Sequence, residues 1–109
     1  MNDQAIEQAV KDKGLTAPRV SLTDLEANIA DTEIVKHVST SGQVLRWAVL
    51  TTRSGFSVAG KPSCSASSAN DNEEIGVKIA VDNARQELWP LMGYALKERL
   101  SEKSLAEVA

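Results

Sequence analysis

The chain has 109 residues, a net charge of −3 and only 4% aromatic residues. That length suits one domain, 1–109, burying roughly two thirds of its unfolded surface, with Trp47, Phe56, Trp89 and Tyr94 as its only large aromatic anchors. The acidic balance disfavours binding to a nucleic-acid polymer, which needs a basic face. The lone cysteine, Cys64, excludes an internal disulfide, and the absence of a bilayer-length apolar run or a signal-peptide pattern leads us to expect a soluble intracellular protein with no membrane role.

Residues 3–12 predict a short helix with Ile6 and Val10 one turn apart and Gly14 placed to stop it. Its apolar face is narrow, so fraying over residues 1–14 is expected. Pro18 forces Ala17 out of the α region. A helix of about two turns follows, capped by Ser21 with Asp24 or by Thr23 with Glu26, and striped by Leu22, Leu25 and Ile29.

From residue 32 to 60 β-branched and apolar residues concentrate between turn signals. We expect strands at 33–39, 43–52 and 56–60, joined by turns at Ser41-Gly42 and Ser54-Gly55. Along the second strand Leu45, Trp47, Val49 and Thr51 point one way, and Val44, Arg46, Ala48 and Leu50 the other. Apolar side chains on both faces make it the central strand of an antiparallel meander. Residues 61–70, KPSCSASSAN, read as a small-residue loop.

Asp71, Glu73 and Glu74 then crowd the start of a long helix, where the helix dipole favours anions. On residues 75–88, Val77, Ala80, Val81, Ala84 and Leu88 cover one side, Ile75 and Ile79 another. A helix this apolar is expected to be buried on more than one side. Gly76, Ala80 and Ala84 form a small-residue strip suited to close approach, either in the core or at a subunit interface. Asn83 lies in the inferred buried arc, so its amide either bonds to the backbone of a nearby loop or lines a polar pocket. Pro90 should bend or break the helix near Leu88-Trp89, and a second helix over 91–103 would bury Leu91, Ala95, Leu96 and Leu100. The tail from 104 to 109 is expected to fray. The expected fold class is α+β: a three-stranded antiparallel meander, a short N-terminal helix and two C-terminal helices bent at a Trp-Pro.

Catalytic patterns are sparse. A single histidine, His37, and a single cysteine, Cys64, rule out the usual zinc constellations, and nothing brings the two together as a nucleophile pair. SGFSVAG is a hairpin, not a phosphate-binding strand-to-helix loop. Glu73 and Glu74 are explained by the helix start. No enzymatic activity and no cofactor are therefore expected.

Three segments, GLTAPRVSLTDLEANI, RSGFSVAGKPSC and EEIGVKIAVDNARQELWPLMGYALKERL, resemble a family of small tailed-phage proteins known by the uncharacterised gene products 49 and 66 of two coliphages. The resemblance runs over roughly residues 14–100 and rests on Gly55-Phe56, Cys64, Ile75-Gly76, Asn83-Ala84-Arg85 and Trp89 through Tyr94. Asp71-Asn72 stand where relatives commonly carry Phe-Asp, and Ser54 where they often carry Asn. The resemblance implies a phage accessory protein expressed in the host bacterial cytoplasm. The layout is similar to that of anti-Thoeris sponge proteins, oligomers that trap cyclic ADP-ribose or cyclic nucleotide signals without cleaving them; that step is analogy of fold.

Two functions follow. The first is a host-defence antagonist that sequesters a cyclic nucleotide or ADP-ribose-derived ligand at the interface of a homo-oligomer. Phosphates need cationic donors and a base needs a flat surface, so the candidates are Arg19, Arg53, Asn83, Arg85 and Arg99, with Trp47 and Phe56 for stacking. The second is an adaptor or inhibitor that binds a host or phage enzyme, with the acidic charge suiting a basic partner.

Overall fold

The computed structural model describes residues 2–108. The fold is α+β, with three helices and a four-stranded sheet: α1 (Asp3–Asp12), α2 (Leu22–Asn28), β1 (Ile29–Val38), β2 (Val44–Thr52), β3 (Ser57–Ala59), β4 (Ser63–Cys64) and α3 (Glu73–Val108), with a 3-10 turn at Ser68–Asn70. Contacts divide it into two compact units, one comprising Asn28–Leu88 and the other the chain on either side of it.

In the flanking unit, Asn2 caps α1 by accepting a hydrogen bond from the Ala5 N–H at 2.8 Å, and Gly14, at φ 64°, turns the chain out of the helix. Of the two capping signals before α2, the structure uses Ser21 with Asp24. The Asp24 N–H donates to Ser21 Oγ (3.1 Å) and the Ser21 N–H to Asp24 Oδ2 (2.9 Å). Leu25 is buried. The Trp89 indole N–H donates to Asp3 Oδ2 at 3.3 Å, tying α1 to α3.

In the Asn28–Leu88 unit β2 is central. β1 pairs along one edge from Ile29↔Thr52 to Val38↔Val44, with a bulge between Ile29 and Asp31. The first strand thus begins at Ile29, four residues before the expected start, and Ile29 leaves the helical stripe. A helix of seven residues has no interior turn to hold a β-branched end residue, and a strand accommodates it better. The other edge of β2 is shared by β3, opposite Val49–Thr51, and by β4, opposite Leu45 and Arg46. The expected loop over 61–70 therefore contains a fourth, two-residue strand and the 3-10 turn; a run of small residues has too little bulk to announce a strand this short.

The sheet's two faces differ. Arg46, Ala48, Leu50 and Thr52 are buried, while the alternate residues of β2 are half-buried. Ala48 and Leu50 form the core with Ala80 and Ala84 of α3, and Ile29, Val58 and Val81 pack around them. The small-residue strip thus belongs largely to the core. Gly60, just past β3, shows how close the layers come: a Cβ there would lie 2.3 Å from the Ala84 amide nitrogen.

Two expectations about the long helix are corrected. First, α3 runs through Pro90 as one 36-residue helix in place of two. Pro90 has no N–H for the Gln86 carbonyl, but the helix on each side is long enough to sustain itself across one missing bond. The helix also continues past the expected end at 103 to Val108; Ala109, the last residue of the expected tail, lies outside the described residues. Second, α3 is not buried on several sides over 75–88. Ala80, Ala84 and Leu88 are buried, but Ile75 and Ile79 are 59% and 47% exposed. Further along, Leu91 and Tyr94 are also exposed, so the burial expected for Leu91 is not found. Among the described residues, no helix is long and apolar enough to cross a membrane.

Candidate functional site

The seven sequence-predicted residues do not gather in one place. Arg19 is held in the flanking unit by a bidentate pair to Glu7 (2.7 and 3.2 Å). The same carboxylate accepts the Leu22 N–H at 2.9 Å, so Glu7 joins α1, the Pro18 segment and the start of α2. The Arg19 hydrogen bonds hold the Glu7 carboxyl below its usual range, and Glu7 raises Arg19 in return. Arg99 is exposed on α3 in that unit. The other five lie between Asn28 and Leu88. Asn83 donates from Nδ2 to the Lys61 carbonyl at 3.0 Å, bonding to a loop backbone. Arg85 is half-buried on α3.

Arg53 and Phe56 sit at the β2–β3 hairpin, where the Arg53 N–H donates to the Asn28 carbonyl (3.1 Å) and Gly55, at φ 89°, makes the turn. The Thr52 N–H donates to the Phe56 carbonyl at 2.8 Å, so the register sets Phe56 opposite Thr52. Thr52 has the parity of the core face and Trp47 that of the other face. Five residues, about 17 Å along a strand, also separate their positions. Trp47 and Phe56 therefore cannot clamp one base between them within a single chain.

Sequence reasoning missed a polar cluster at the head of α3. Arg46, on the buried face of β2, forms a bidentate pair with Asp71 (2.7 and 3.0 Å). The Arg46 side chain is 5% exposed. Its hydrogen bonds pull the Asp71 carboxyl below its usual range, and Asp71 raises Arg46. Buried Ser63 donates to the Gly76 carbonyl at 2.7 Å, and the missing Cβ of Gly76 leaves room for the guanidinium, which would otherwise stand 2.9 Å from it. Asn72 caps the helix through the Ile75 N–H at 3.0 Å. The usable signal was an arginine in the same parity as Ala48 and Leu50: on a buried strand face it requires a carboxylate, and Asp71 precedes the packed helix. With both guanidinium branches engaged by Asp71, this cluster is a structural clamp.

Beside it lies a cleft of about 70 Å³ lined by Ser63, Cys64, Ser65, Asn70, Asp71, Asn72, Ile75, Gly76 and Ile79. A more open groove of about 450 Å³ runs between Ser41–Gln43 and Ala66–Ser68 and carries no charged side chain. The first is far below the roughly 300 Å³ at which small-molecule pockets begin, and neither is lined by any of the seven predicted residues. No group of three or more His, Cys, Asp or Glu residues that could hold a metal ion occurs among the described residues.

A further apolar surface is the second face of the sheet. Cross-strand partners share a face, so Leu45, Trp47, Val49 and Thr51 stand with His37, Val35, Glu33 and Asp31 of β1, and with Cys64, Ala59 and Ser57 on the other side. None of these residues is buried. Trp47 is at the centre, with Leu45 and Val49 beside it on β2 and Val35 across from it, while Asp31, Glu33, Thr51 and Ser57 border one end and His37 and Cys64 the other. An aromatic within an apolar patch and a polar surround is the anatomy of a protein interface.

No curated protein and no solved structure matches the chain. A family model matches residues 20–100, a span that includes α2, the whole sheet and most of α3. The chain belongs to the phage protein (N4 Gp49/phage Sf6 gene 66) family.

Proposed function

We propose that this phage protein is a non-enzymatic binding protein that engages another protein through the open face of its sheet, with Trp47 as the anchor. The observation that carries this reading is the apolar row Leu45, Trp47, Val49 and Val35 on a face where no residue is buried. A phage protein acts on a host cell, so a host protein is the expected partner and antagonism of host defence the expected outcome. The acidic residues Asp31 and Glu33 at one end of the face favour a partner basic at the matching position. Sequestering of a cyclic nucleotide or cyclic ADP-ribose signal is the weaker reading, because Arg19 is engaged by Glu7 and the stacking candidates lie on opposite faces of the sheet. The other cationic candidates, Arg53, Arg85 and Arg99, line neither of the two clefts.

The test is a pull-down from infected cells with the wild-type chain and Trp47→Ala, both checked for folding by circular dichroism. A protein retained stoichiometrically by the wild type and lost with Trp47→Ala supports the interface. Mass spectrometry of small molecules released by heat from the purified protein runs beside it. A stoichiometric nucleotide in that material, or a partner indifferent to Trp47→Ala, overturns it.

A further inference from the structure

The two edges of the sheet are unlike. The edge formed by β3 and β4 is made of three and two residues and is broken between them, which is how sheets ordinarily blunt an edge. The β1 edge is ten residues long, contains neither proline nor glycine, and is exposed at every position from Ala30 to Val38. Its bulge falls between Ile29 and Asp31, leaving the stretch to Val38 regular. Ile34, Val35 and Val38 are 40%, 36% and 53% exposed there. Such a strand offers a row of backbone donors and acceptors to an incoming strand.

The charges on β1 state which strand fits. Asp31 and Glu33 occupy its first half, Lys36 and His37 its second. Antiparallel pairing with an identical strand sets the acidic half of each against the basic half of the other. A parallel, in-register pairing sets like against like, and a strand of uniform charge could not pair with itself. We propose that the chain forms a two-fold dimer by antiparallel pairing of β1 with β1 of a second copy, with Val35 on the axis. A two-fold axis perpendicular to the sheet keeps each face on its own side, which restricts the register to pairs of equal parity. Centring on Val35 places Glu33 opposite the partner's His37, twice by symmetry. It also aligns Trp47, Val35, the partner's Val35 and the partner's Trp47 in one row, because Val35 already pairs with Trp47. The two sheets become one of eight strands and the open faces one continuous surface. This dimer does not depend on the protein partner proposed above, and either can fail alone.

Sedimentation equilibrium of the full chain tests it. A dimer is expected at about 50 µM, with Glu33→Lys weakening it roughly tenfold as the two cross-strand contacts between the Glu33 carboxylate and the partner's His37 imidazole are lost. Adding His37→Glu to Glu33→Lys restores it, which a variant that merely unfolds cannot do. In a Cys64→Ser background, Val35→Cys should oxidise to a covalent dimer, since Cα atoms paired across antiparallel strands are about 5 Å apart, and Ile34→Cys should not. A monomer at that concentration, a dimer unaffected by Glu33→Lys, or cross-linking through Ile34→Cys in place of Val35→Cys overturns the proposal.

Discussion

The two faces of β2 present the same strand in two environments. On one, Ala48 and Leu50 are fully buried against Ala80 and Ala84, and the layers approach closely enough that Gly60 has no room for a side chain. On the other, Leu45, Trp47 and Val49 are as apolar, yet none is buried. Alternation along a half-buried strand normally sets apolar against polar. Here both parities are apolar, and the β2 residues of the second face are half-buried. The core takes one face, and the interface proposed above would take the other. If that division is correct, neighbouring substitutions on opposite faces should differ several-fold in their cost to stability.

The largest loss is expected from Leu50→Ala. It removes a fully buried side chain from the centre of the cluster and should lower the unfolding free energy by about 4 kcal/mol, read by urea denaturation. Gly60→Ala should follow at about 3 kcal/mol. Its new methyl would stand 2.3 Å from the Ala84 amide nitrogen and 2.6 Å from its Cα, and backbone atoms within a helix cannot step aside as a flexible side chain would. A cost for Gly60→Ala below that of an ordinary exposed substitution would mean that the connector after β3 does not press on α3.

Ser63→Ala should cost about 1.5 kcal/mol by removing the hydroxyl that donates to the Gly76 carbonyl. The neighbouring ion pair gives a pH signature. Asp71 and Glu7 have folded-state pKa values below their ordinary values of 3.8 and 4.5. Their contribution is therefore complete above those values and is lost as pH falls through the folded-state pKa. The acid limb of the stability curve should begin just below 4.5 with Glu7 and steepen below 3.8 with Asp71. Asp71→Asn should flatten the lower part and leave the onset in place, as followed by thermal melts between neutral pH and strong acid.

Much of this division was legible beforehand. Apolar side chains on both faces of β2 marked the strand as central, Gly42 and Gly55 placed both hairpin turns, and Ala80, Ala84 and Leu88 fell on one arc of α3. The misses share a physical cause: each depends on a contact distant in sequence. β4 has only two residues and exists because β2 offers an open edge at Leu45 and Arg46. Asp71 looked like part of an acidic helix start, since its partner is 25 residues away. Ile75 and Ile79 were expected to be covered because a helical wheel counts apolar faces but not the neighbours available to cover them. Pro90 penalises a helix locally, yet the 36-residue run carries through it. For the candidate site, residue types suggested arginines and aromatics, but strand parity separates Trp47 from Phe56, and the Glu7 carboxylate takes up Arg19.

The smallest expected effect bears most directly on the comparison of faces. Val49 is adjacent to Leu50, and their cross-strand neighbours on β3, Ala59 and Val58, are adjacent as well. Val49→Thr keeps the β-branched shape and replaces one methyl with a hydroxyl. On a buried face that hydroxyl would have to be stripped of water without a guaranteed partner, costing about 1–3 kcal/mol. On an open face it stays hydrated, so the change should lie within about 0.5 kcal/mol of zero. The same substitution should nonetheless weaken capture of a protein partner, because it puts a polar group beside Trp47 within the apolar patch. Urea denaturation and the pull-down read the two quantities separately. A clear stability loss with Val49→Thr would mean that the second face is already covered within the chain, and the surface assigned to a partner would then be part of the core.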